Sequence, residues 1–141
     1  MAKVTFILGL CGSGKTFTAN KMAGVKKFDE DFIVEEHQQQ ELFNAQRGGK
    51  DCVVIEVNYC WSEFRDPFVQ RLLKEVPGTT IAWIAFENDL ATANRNCQLR
   101  ENKGDAVRHM EINGRLSRNY TMPPGADVKT IFPLQEKPAP A

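Results

Sequence analysis

Residues 9–16, near the start of the chain, have the types and the spacing needed to hold a polyphosphate. They match the pattern G-x-x-x-x-G-K-[ST] and directly follow an apolar run at residues 4–8. Glycines in such a loop let backbone N–H groups approach phosphate oxygens, and a helix that starts there adds the positive end of its dipole. We therefore expect the loop to bind a nucleotide. The residues expected to contact it are Gly9, Cys11, Gly12, Ser13, Gly14, Lys15 and Thr16.

The last two residues of this pattern have separate expected roles. The ammonium group of Lys15 would neutralise the β- and γ-phosphates. The hydroxyl of Thr16 would take one position around Mg²⁺, which keeps most of its waters in such sites. The expected cofactors are therefore ATP and Mg²⁺. The pattern requires a strand before it and a helix after it, and both are predicted, over residues 4–8 and 15–22.

Length and composition indicate one α/β domain. The chain of 141 residues can bury a core but is too short for two ordinary domains. Its formal net charge of +0 gives no overall signature of duplex binding. No charged segment leads into a long apolar run at the start, and no apolar run approaches membrane-spanning length. We therefore expect a cytoplasmic protein without a membrane partner, as a monomer or a dimer.

The four cysteines, Cys11, Cys52, Cys60 and Cys97, occur without a C-x-x-C pair and without a histidine at metal-ligand spacing. The sequence therefore does not predict a zinc site. Cys11 lies within the phosphate loop, where a free thiol suits a reducing compartment. The other three are expected to pack as small apolar side chains.

Apolar runs alternate with polar, amphipathic segments along the chain. Strands are predicted over residues 4–8, 25–28, 52–57, 80–86 and 127–132, with helices over residues 15–22, 32–47, 67–76, 90–102 and 106–120. Asp66 is the predicted N-cap of the third helix. This alternation predicts an α/β three-layer sandwich with a five-stranded parallel sheet. The domain should span residues 1–132, with a lid at about 88–120. Residues 133–141, which contain three prolines, should form a disordered tail.

Three features together resemble the small P-loop kinases, a group that includes shikimate kinase, adenylylsulfate kinase, zeta toxins and the kinase domain of phage polynucleotide kinase. These features are the phosphate loop, the segment F-D-E-D at residues 28–31, and a helix after the fourth strand that carries Arg95 and Arg100. The resemblance covers nearly the whole chain. It implies the strand order 2-3-1-4-5 and transfer of a phosphoryl group from ATP.

The acidic residues after the second strand have roles that this resemblance implies. Asp29 would serve Mg²⁺ through water, and Asp31 would deprotonate or orient the acceptor. Phosphoryl transfer in general needs positioning and charge neutralisation, so a carboxylate that fixes the nucleophile is expected on chemical grounds as well. The structural alternative is that Asp29 or Asp31 simply caps the following helix.

Glu56 lies in the third predicted strand, near the place where many P-loop proteins carry a metal-linked aspartate. A carboxylate in a buried strand is costly unless it is paired or hydrated. Glu56 is therefore expected to reach Mg²⁺, to contact Lys15, or to point along an edge of the cavity.

The lid is expected to bring an arginine to the transferred phosphate. Arg95 and Arg100 are the candidates, but at a separation of five residues on a helix they diverge by more than a right angle and should not grip one phosphate equally. The alternative for both is a solvated helical face. Further side chains considered for contact with an acceptor are Tyr59, Trp61, Arg65, Lys103, Arg108, Arg115 and Arg118. Core packing is the alternative for Trp61, and a solvated helical face is the alternative for the last four.

Residues 102–105 spell N-K-G-D, which matches the guanine-recognition pattern N-K-x-D of GTPases. That pattern should follow an apolar strand, whereas here it follows a polar helix, and D-x-x-G is absent at the end of the third strand. We therefore interpret Gly104 as a stop between two lid helices.

The expected function is transfer of the γ-phosphoryl group of ATP to a hydroxyl or phosphate acceptor. Lys15 would neutralise the phosphates, Asp31 would act on the acceptor, and Arg95 or Arg100 would stabilise the transferred group. The acceptor is a small molecule or a nucleic-acid end. The basic lid region and the aromatic residues Tyr59 and Trp61 favour a nucleoside, a nucleotide or a polynucleotide end. Two alternatives are an NTPase that uses hydrolysis of ATP or GTP as a switch, and a nucleotide-binding module without turnover.

Overall fold

The computed structural model describes residues 2–135, and its strands form a parallel sheet in the order β2-β3-β1-β4-β5. The strands are β1 Lys3–Leu8, β2 Lys26–Phe28, β3 Cys52–Val54, β4 Thr80–Phe86 and β5 Asp127–Lys129. The helices are α1 Lys15–Asn20, α2 Glu36–Arg47, α3 Ser62–Glu75, α4 Leu90–Arg100 and α5 Lys103–Ser117, with a short 3₁₀ helix at Val57–Cys60. The predicted fold class and strand order are confirmed.

The central strand β1 is buried on both faces of the sheet. Val4, Phe6 and Leu8 contribute to the core on one face, and Ile7 contributes to the core on the other. Neighbours on both sides, β3 and β4, complete its backbone hydrogen bonds. A strand covered in this way carries few polar side chains, which explains the continuous apolar run before the phosphate loop.

Helices cover both faces of the sheet. On one face, Leu42 of α2 and Leu72 of α3 pack into a core that is rich in aromatic rings. Those rings belong to Phe6, Phe28, Phe32, Phe43, Tyr59, Phe68 and Trp83. On the other face, Ala19 of α1, Ala93 of α4 and Leu116 of α5 pack into the second core. α4 and α5, the helices of the predicted lid, thus lie on the same face of the sheet as α1, the helix that follows the phosphate loop.

The region after the third strand differs from the sequence prediction. β3 ends at Val54 instead of residue 57, because Glu56 caps the 3₁₀ helix by accepting the N–H of Asn58 at 3.0 Å. The next helix, α3, begins at Ser62, so that Pro67, predicted as its first residue after an Asp66 cap, lies inside it. Glu56 is therefore a residue of the strand-to-helix connection and not of the strand.

The second lid helix, α5, also begins earlier than predicted. Asn102 is its N-cap: the side chain accepts the N–H of Asp105 at 2.9 Å and donates to the Asp105 carboxylate at 2.8 Å. Gly104 lies in the first turn of α5, so the prediction that it stops a helix is wrong. The N-K-G-D sequence is a helix start.

The last described residues are attached to α4. The Leu134 N–H donates to Asn96 Oδ1 at 2.8 Å, and the Asn96 amide donates to the Phe132 carbonyl at 2.9 Å. Residues 136–141 of the expected tail lie outside the described residues. Within residues 2–135, no helix combines the length and the apolar character that a membrane crossing requires.

Candidate active site

The phosphate loop, residues 9–16, connects β1 to α1 and lies against α4. Gly12 and Gly14 have left-handed φ angles of 86° and 107°, a conformation that favours glycine. A Cβ atom on Gly12 would lie 2.4 Å from the carbonyl oxygen of Ala93 in α4. Position 12 therefore needs glycine for its backbone angle and also for its contact with the lid.

Gly9 and Ser13 belong to the buried side of the loop. A Cβ atom on Gly9 would lie 2.3 Å from Ser13 Oγ, so the first glycine of the pattern makes room for this hydroxyl. Ser13 Oγ is buried without a hydrogen-bond partner in the described part of the chain. Of the predicted nucleotide contacts, the residues that line the main cavity are Cys11, Gly12, Gly14, Lys15 and Thr16.

The ammonium group of Lys15 is held within the loop. Lys15 is only 6% exposed, and its Nζ donates to the carbonyl oxygens of Gly9 at 2.9 Å and Leu10 at 3.0 Å. Nζ also lies 3.9 Å from Glu30 Oε1. The cation that the pattern assigns to the phosphates is therefore placed at the loop, and its facing carboxylate is Glu30.

Glu30 is a site residue to which the sequence analysis gave no role. The Glu30 side chain is 47% exposed, yet partial desolvation within the cavity raises the pKa of its carboxyl; the nearby Lys15 ammonium offsets part of that rise, and the Glu56 carboxylate adds to it. Its Oε2 accepts the Val57 N–H at 3.4 Å. The only sequence signal was its place between two aspartates. Side-chain direction there depends on where the strand ends, which the residue pattern does not fix.

Of the two aspartates predicted at the site, Asp29 and Asp31, one lines the cavity and the other does not. β2 ends at residue 28, and residues 29–35 form turns in which Asp31 has a φ of 71°, an uncommon angle for a residue other than glycine. Asp31 lines the cavity beside Glu30. Asp29 is exposed and is not among the described residues that line it. Neither aspartate is the N-cap of α2, which is Glu35.

Both carboxylate oxygens of Glu56 accept hydrogen bonds from the protein. Oε1 accepts the Ile33 N–H at 2.9 Å, and Oε2 accepts the backbone N–H of Asn58 at 3.0 Å and its side-chain amide at 3.1 Å. These donors compensate the burial of a carboxylate that is 1% exposed. Glu56 thus joins the turn before α2 to the 3₁₀ helix, and it also lines the cavity. Its metal role stays a prediction.

Three lid arginines line the cavity: Arg100 at the end of α4, and Arg108 and Arg115 on α5. Arg95 is exposed and is not among the described lining residues. Arg95 and Arg100 therefore point in different directions, as their five-residue separation indicates. The packing of α5 against α4 supplies the additional arginines.

Two buried asparagines attach the lid to the phosphate loop. Asn113 of α5 is fully buried; its Oδ1 accepts the Cys11 N–H at 2.7 Å, and its amide donates to the Cys11 carbonyl at 2.9 Å. Asn96 of α4 donates to the Gly12 carbonyl at 3.0 Å. The sequence analysis did not single out either residue, because an asparagine in a polar helix carries no signal of which backbone will pack against it.

The phosphate loop, the ends of β2 and β3, and the lid enclose a cavity of about 510 Å³. This volume lies within the range of small-molecule sites. The cationic side chains that line it are Lys15, Arg100, Arg108 and Arg115, and the acidic ones are Glu30, Asp31, Glu56 and Glu101. The cations suit phosphate groups, and the carboxylates suit a hard metal ion or a hydroxyl group.

Three of the residues considered for contact with an acceptor lie outside this cavity, namely Tyr59, Trp61 and Arg65. Tyr59 is 1% exposed in the aromatic core, and Arg65 is 4% exposed and donates to the carbonyls of Tyr59 and Thr121. Trp61 donates to the Leu116 carbonyl at 3.0 Å. Within residues 2–135, none of these three side chains lines the 510 Å³ cavity. For these three residues the structure favours a packing role, because Tyr59 is buried in the aromatic core and the other two side chains donate to backbone carbonyls.

Comparison with known proteins gives matches at the level of structure. The fold is similar to that of a gluconokinase from Sinorhizobium meliloti 1021, at 13% identity and TM-score 0.55, covering 92% of this chain and 82% of that chain. It is also similar to that of a sugar kinase from Janibacter sp. HTCC2649, at 13% identity and TM-score 0.61, covering 92% of this chain and 84% of that chain. A protein named APE1195 is similar at 19% identity and TM-score 0.60, covering 93% and 85%.

No protein-family model matches the chain, and no curated protein sequence matches it significantly. At identities of 13–19% the structural likeness shows the fold alone. The sheet order and the flanking helices are those of the P-loop kinase fold. The narrower resemblance to shikimate kinase, adenylylsulfate kinase, zeta toxins and polynucleotide kinase stays a prediction.

Proposed function

We propose that this protein is a phosphotransferase that moves the γ-phosphoryl group of ATP to a hydroxyl acceptor. The observation that carries the proposal is one cavity of about 510 Å³ that contains the phosphate loop, a carboxylate beside the loop lysine, and lid arginines. Phosphoryl transfer depends mainly on positioning and on neutralisation of charge, and these groups supply both. The kinase fold of the structural neighbours agrees with this assignment.

The residues of the loop fit a magnesium–nucleotide complex. Gly12 and Gly14 have left-handed φ angles and carry no side chain that would block approach to the loop backbone. The Lys15 ammonium group bonds to a loop carbonyl, and Thr16 lines the same cavity. Thr16 and the hard oxygens of the nearby carboxylates are suited to Mg²⁺ and its waters. When bound, Mg²⁺ would neutralise phosphate charge and orient the phosphates.

Glu30 is the proposed acceptor of the hydroxyl proton. Partial desolvation within the cavity raises the pKa of Glu30, and the Lys15 ammonium holds it lower than it would otherwise be. Once Lys15 turns to phosphate, this restraint weakens and the carboxylate becomes a better base. Asp31, the neighbouring carboxylate of the cavity, would orient the acceptor.

In the proposed step, the acceptor oxygen forms a bond to the γ-phosphorus, the bond to the β–γ bridging oxygen breaks, and ADP leaves. The acceptor proton passes to Glu30. Arg100 would stabilise the charge on the transferred group, with Arg108 and Arg115 available on the other lid helix. Arg95 is assigned no part in this step.

The acceptor class is best sought among hydroxylated small molecules. Two structural neighbours are a gluconokinase and a sugar kinase, and sugars and sugar acids are therefore the first compounds to test. The lean towards nucleosides and polynucleotide ends rested partly on Tyr59 and Trp61, which do not line the described cavity. Nucleosides, nucleotides and oligonucleotides with a 5′-hydroxyl form the second part of the panel.

The direct test is incubation of the purified protein with γ-labelled ATP, Mg²⁺ and this panel. Label on an acceptor, dependent on Lys15, would support the proposal. Hydrolysis at an equal rate with and without every acceptor would contradict it and would favour the switch alternative. ATP binding without transfer or hydrolysis across the panel would favour a nucleotide-binding module.

Paired variants test the residue assignments. We expect Glu30→Gln to lower the transfer rate by about 100-fold or more while ATP still binds, and Asp29→Asn to have a much smaller effect. In the lid, Arg100→Ala should slow transfer more than Arg95→Ala. A larger loss in Asp29→Asn than in Glu30→Gln would refute the assignment of Glu30.

A further inference from the structure

A second group of chemically reactive side chains lies where the two lid helices meet. Cys97 and Glu101 are one helical turn apart at the end of α4, and His109 faces them from α5. The His109 Nδ1 atom lies 2.6 Å and 2.8 Å from the two Glu101 oxygens. One ligand atom from each of the three residues lies within 4.8 Å of the others.

The donor set is that of a borderline or soft transition metal. A thiolate, an imidazole nitrogen and a carboxylate oxygen bind Zn²⁺ at about 2.0–2.3 Å. To surround one ion, ligand atoms that now lie up to 4.8 Å apart must move closer, and the His109–Glu101 contact must open. Mg²⁺ prefers oxygen ligands and octahedral geometry, so this set discriminates against the metal of the phosphate loop. The chemistry therefore points to a separate site.

The surroundings suit a metal site with an open position. Cys97 is buried, whereas Glu101 and His109 line the 510 Å³ cavity. Three protein ligands and access from a cavity leave one coordination position for water or an anion. A Cβ atom on Gly12 would lie 3.0 Å from Cys97 Sγ, which places the cluster directly behind the phosphate loop.

We propose that Cys97, Glu101 and His109 form a Zn²⁺ site that fastens α4 to α5 beside the phosphate loop. The sequence did not predict it, because the cysteine and the histidine are twelve positions apart on different helices and match no zinc pattern. Metal binding at this site does not depend on the transferase assignment, although Glu101 and His109 line the same cavity, and metal binding in the absence of nucleotide is its direct measure.

The test uses the full chain stripped of metals and titrated with Co²⁺ as a spectroscopic substitute for Zn²⁺. We expect the visible bands of four-coordinate Co²⁺ together with a thiolate-to-metal charge-transfer band, both displaced by Zn²⁺. Zn²⁺ should also raise the melting temperature, because a ligand that binds only the folded state stabilises it. Absence of a thiolate band from the wild-type spectrum would overturn the proposal without reference to any variant.

Matched variants identify the ligands. Cys97→Ala and His109→Gln should each weaken Zn²⁺ binding by about 100-fold or more, since loss of an outer-shell partner alone costs 10–100-fold. The controls are Cys52→Ala, which removes another buried cysteine, and His37→Gln, which removes an exposed histidine. Equal Zn²⁺ affinity in Cys97→Ala and Cys52→Ala would show that Cys97 packs as an apolar side chain and that Glu101 and His109 form only an ion pair.

Discussion

Substitution of two glycines by alanine separates backbone strain from the close contact between the phosphate loop and the lid. Gly12 and Gly49 have nearly equal left-handed φ angles of 86° and 83°. A Cβ atom on Gly12 would meet the Ala93 carbonyl oxygen at 2.4 Å and Cys97 Sγ at 3.0 Å, whereas a Cβ atom on Gly49 would meet nothing within 4 Å. The two substitutions therefore share one cost and differ in the other.

The shared cost comes from the left-handed backbone conformation, which destabilises the folded protein by about 1–2 kcal/mol when the residue has a Cβ atom. Gly49→Ala should lower the free energy of unfolding by this amount alone. Gly12→Ala adds an overpacking cost of about 1–3 kcal/mol, because α4 must move away from the loop. The total expected for Gly12→Ala is thus about 2–5 kcal/mol.

The assay is urea unfolding followed by the fluorescence of the two tryptophans, Trp61 and Trp83. Titration of each folded variant with a fluorescent ATP analogue gives a second measurement. We expect Gly12→Ala to bind the analogue more weakly and Gly49→Ala to bind it as the wild type does. Equal losses of stability in the two variants would show that α4 does not restrain the loop, and the reasoning would fail.

Three further predictions concern buried and charged side chains. Asn113→Ala leaves two backbone groups of the phosphate loop without partners and should lower the free energy of unfolding by about 2–4 kcal/mol. The control, Asn119→Ala at an exposed asparagine, should change that free energy by no more than about 0.5 kcal/mol, and similar losses in both variants would contradict the role of Asn113. Hydrogen bonds from Arg71 lower the pKa of Glu36 from 4.5 to about 2, so this pair should stabilise the protein above pH 4.5 and lose its effect as the pH falls towards 2. Over that range the unfolding free energies of Glu36→Gln and the wild type should converge, and a difference that does not change with pH would refute the pairing. Because the pKa of Glu30 is raised in the folded state, that state holds the carboxyl proton more tightly, and the stability of the wild type relative to Glu30→Gln should fall as the pH rises above 4.5. An increase in relative stability would show that attraction to Lys15 affects the Glu30 pKa more than desolvation does.

Much of the fold was predictable because its signals are local. The apolar run of β1, the glycine pattern of the loop and the alternation of strands with helices each depend on neighbouring residues, and the structure confirms the strand order that the resemblance implied. Element boundaries were less predictable. The early start of α5 at Lys103 depends on one N-cap side chain, that of Asn102. In the sequence, Asn102 is the first residue of the N-K-G-D match to a nucleotide-recognition pattern.

The candidate site divides in the same way. The phosphate loop was evident from spacing, and Lys15 lies where the pattern requires it. The choice of Glu30 as the carboxylate beside Lys15 was not evident, because it depends on where β2 ends and on the turn in which Asp31 takes a left-handed angle. The lining by Arg108 and Arg115 was likewise set by how α5 packs on α4.

The class of fold and the position of the phosphate loop can be derived from the residues alone, because both follow from local residue pattern and chain order. Long-range packing sets which side chains share the cavity and brings Cys97 close to His109, since these residues belong to different helices. It also decided that Asn113 attaches to the backbone of Cys11, which is 102 positions away in the sequence. Contacts of this kind are fixed by long-range packing, and no local pattern encodes them.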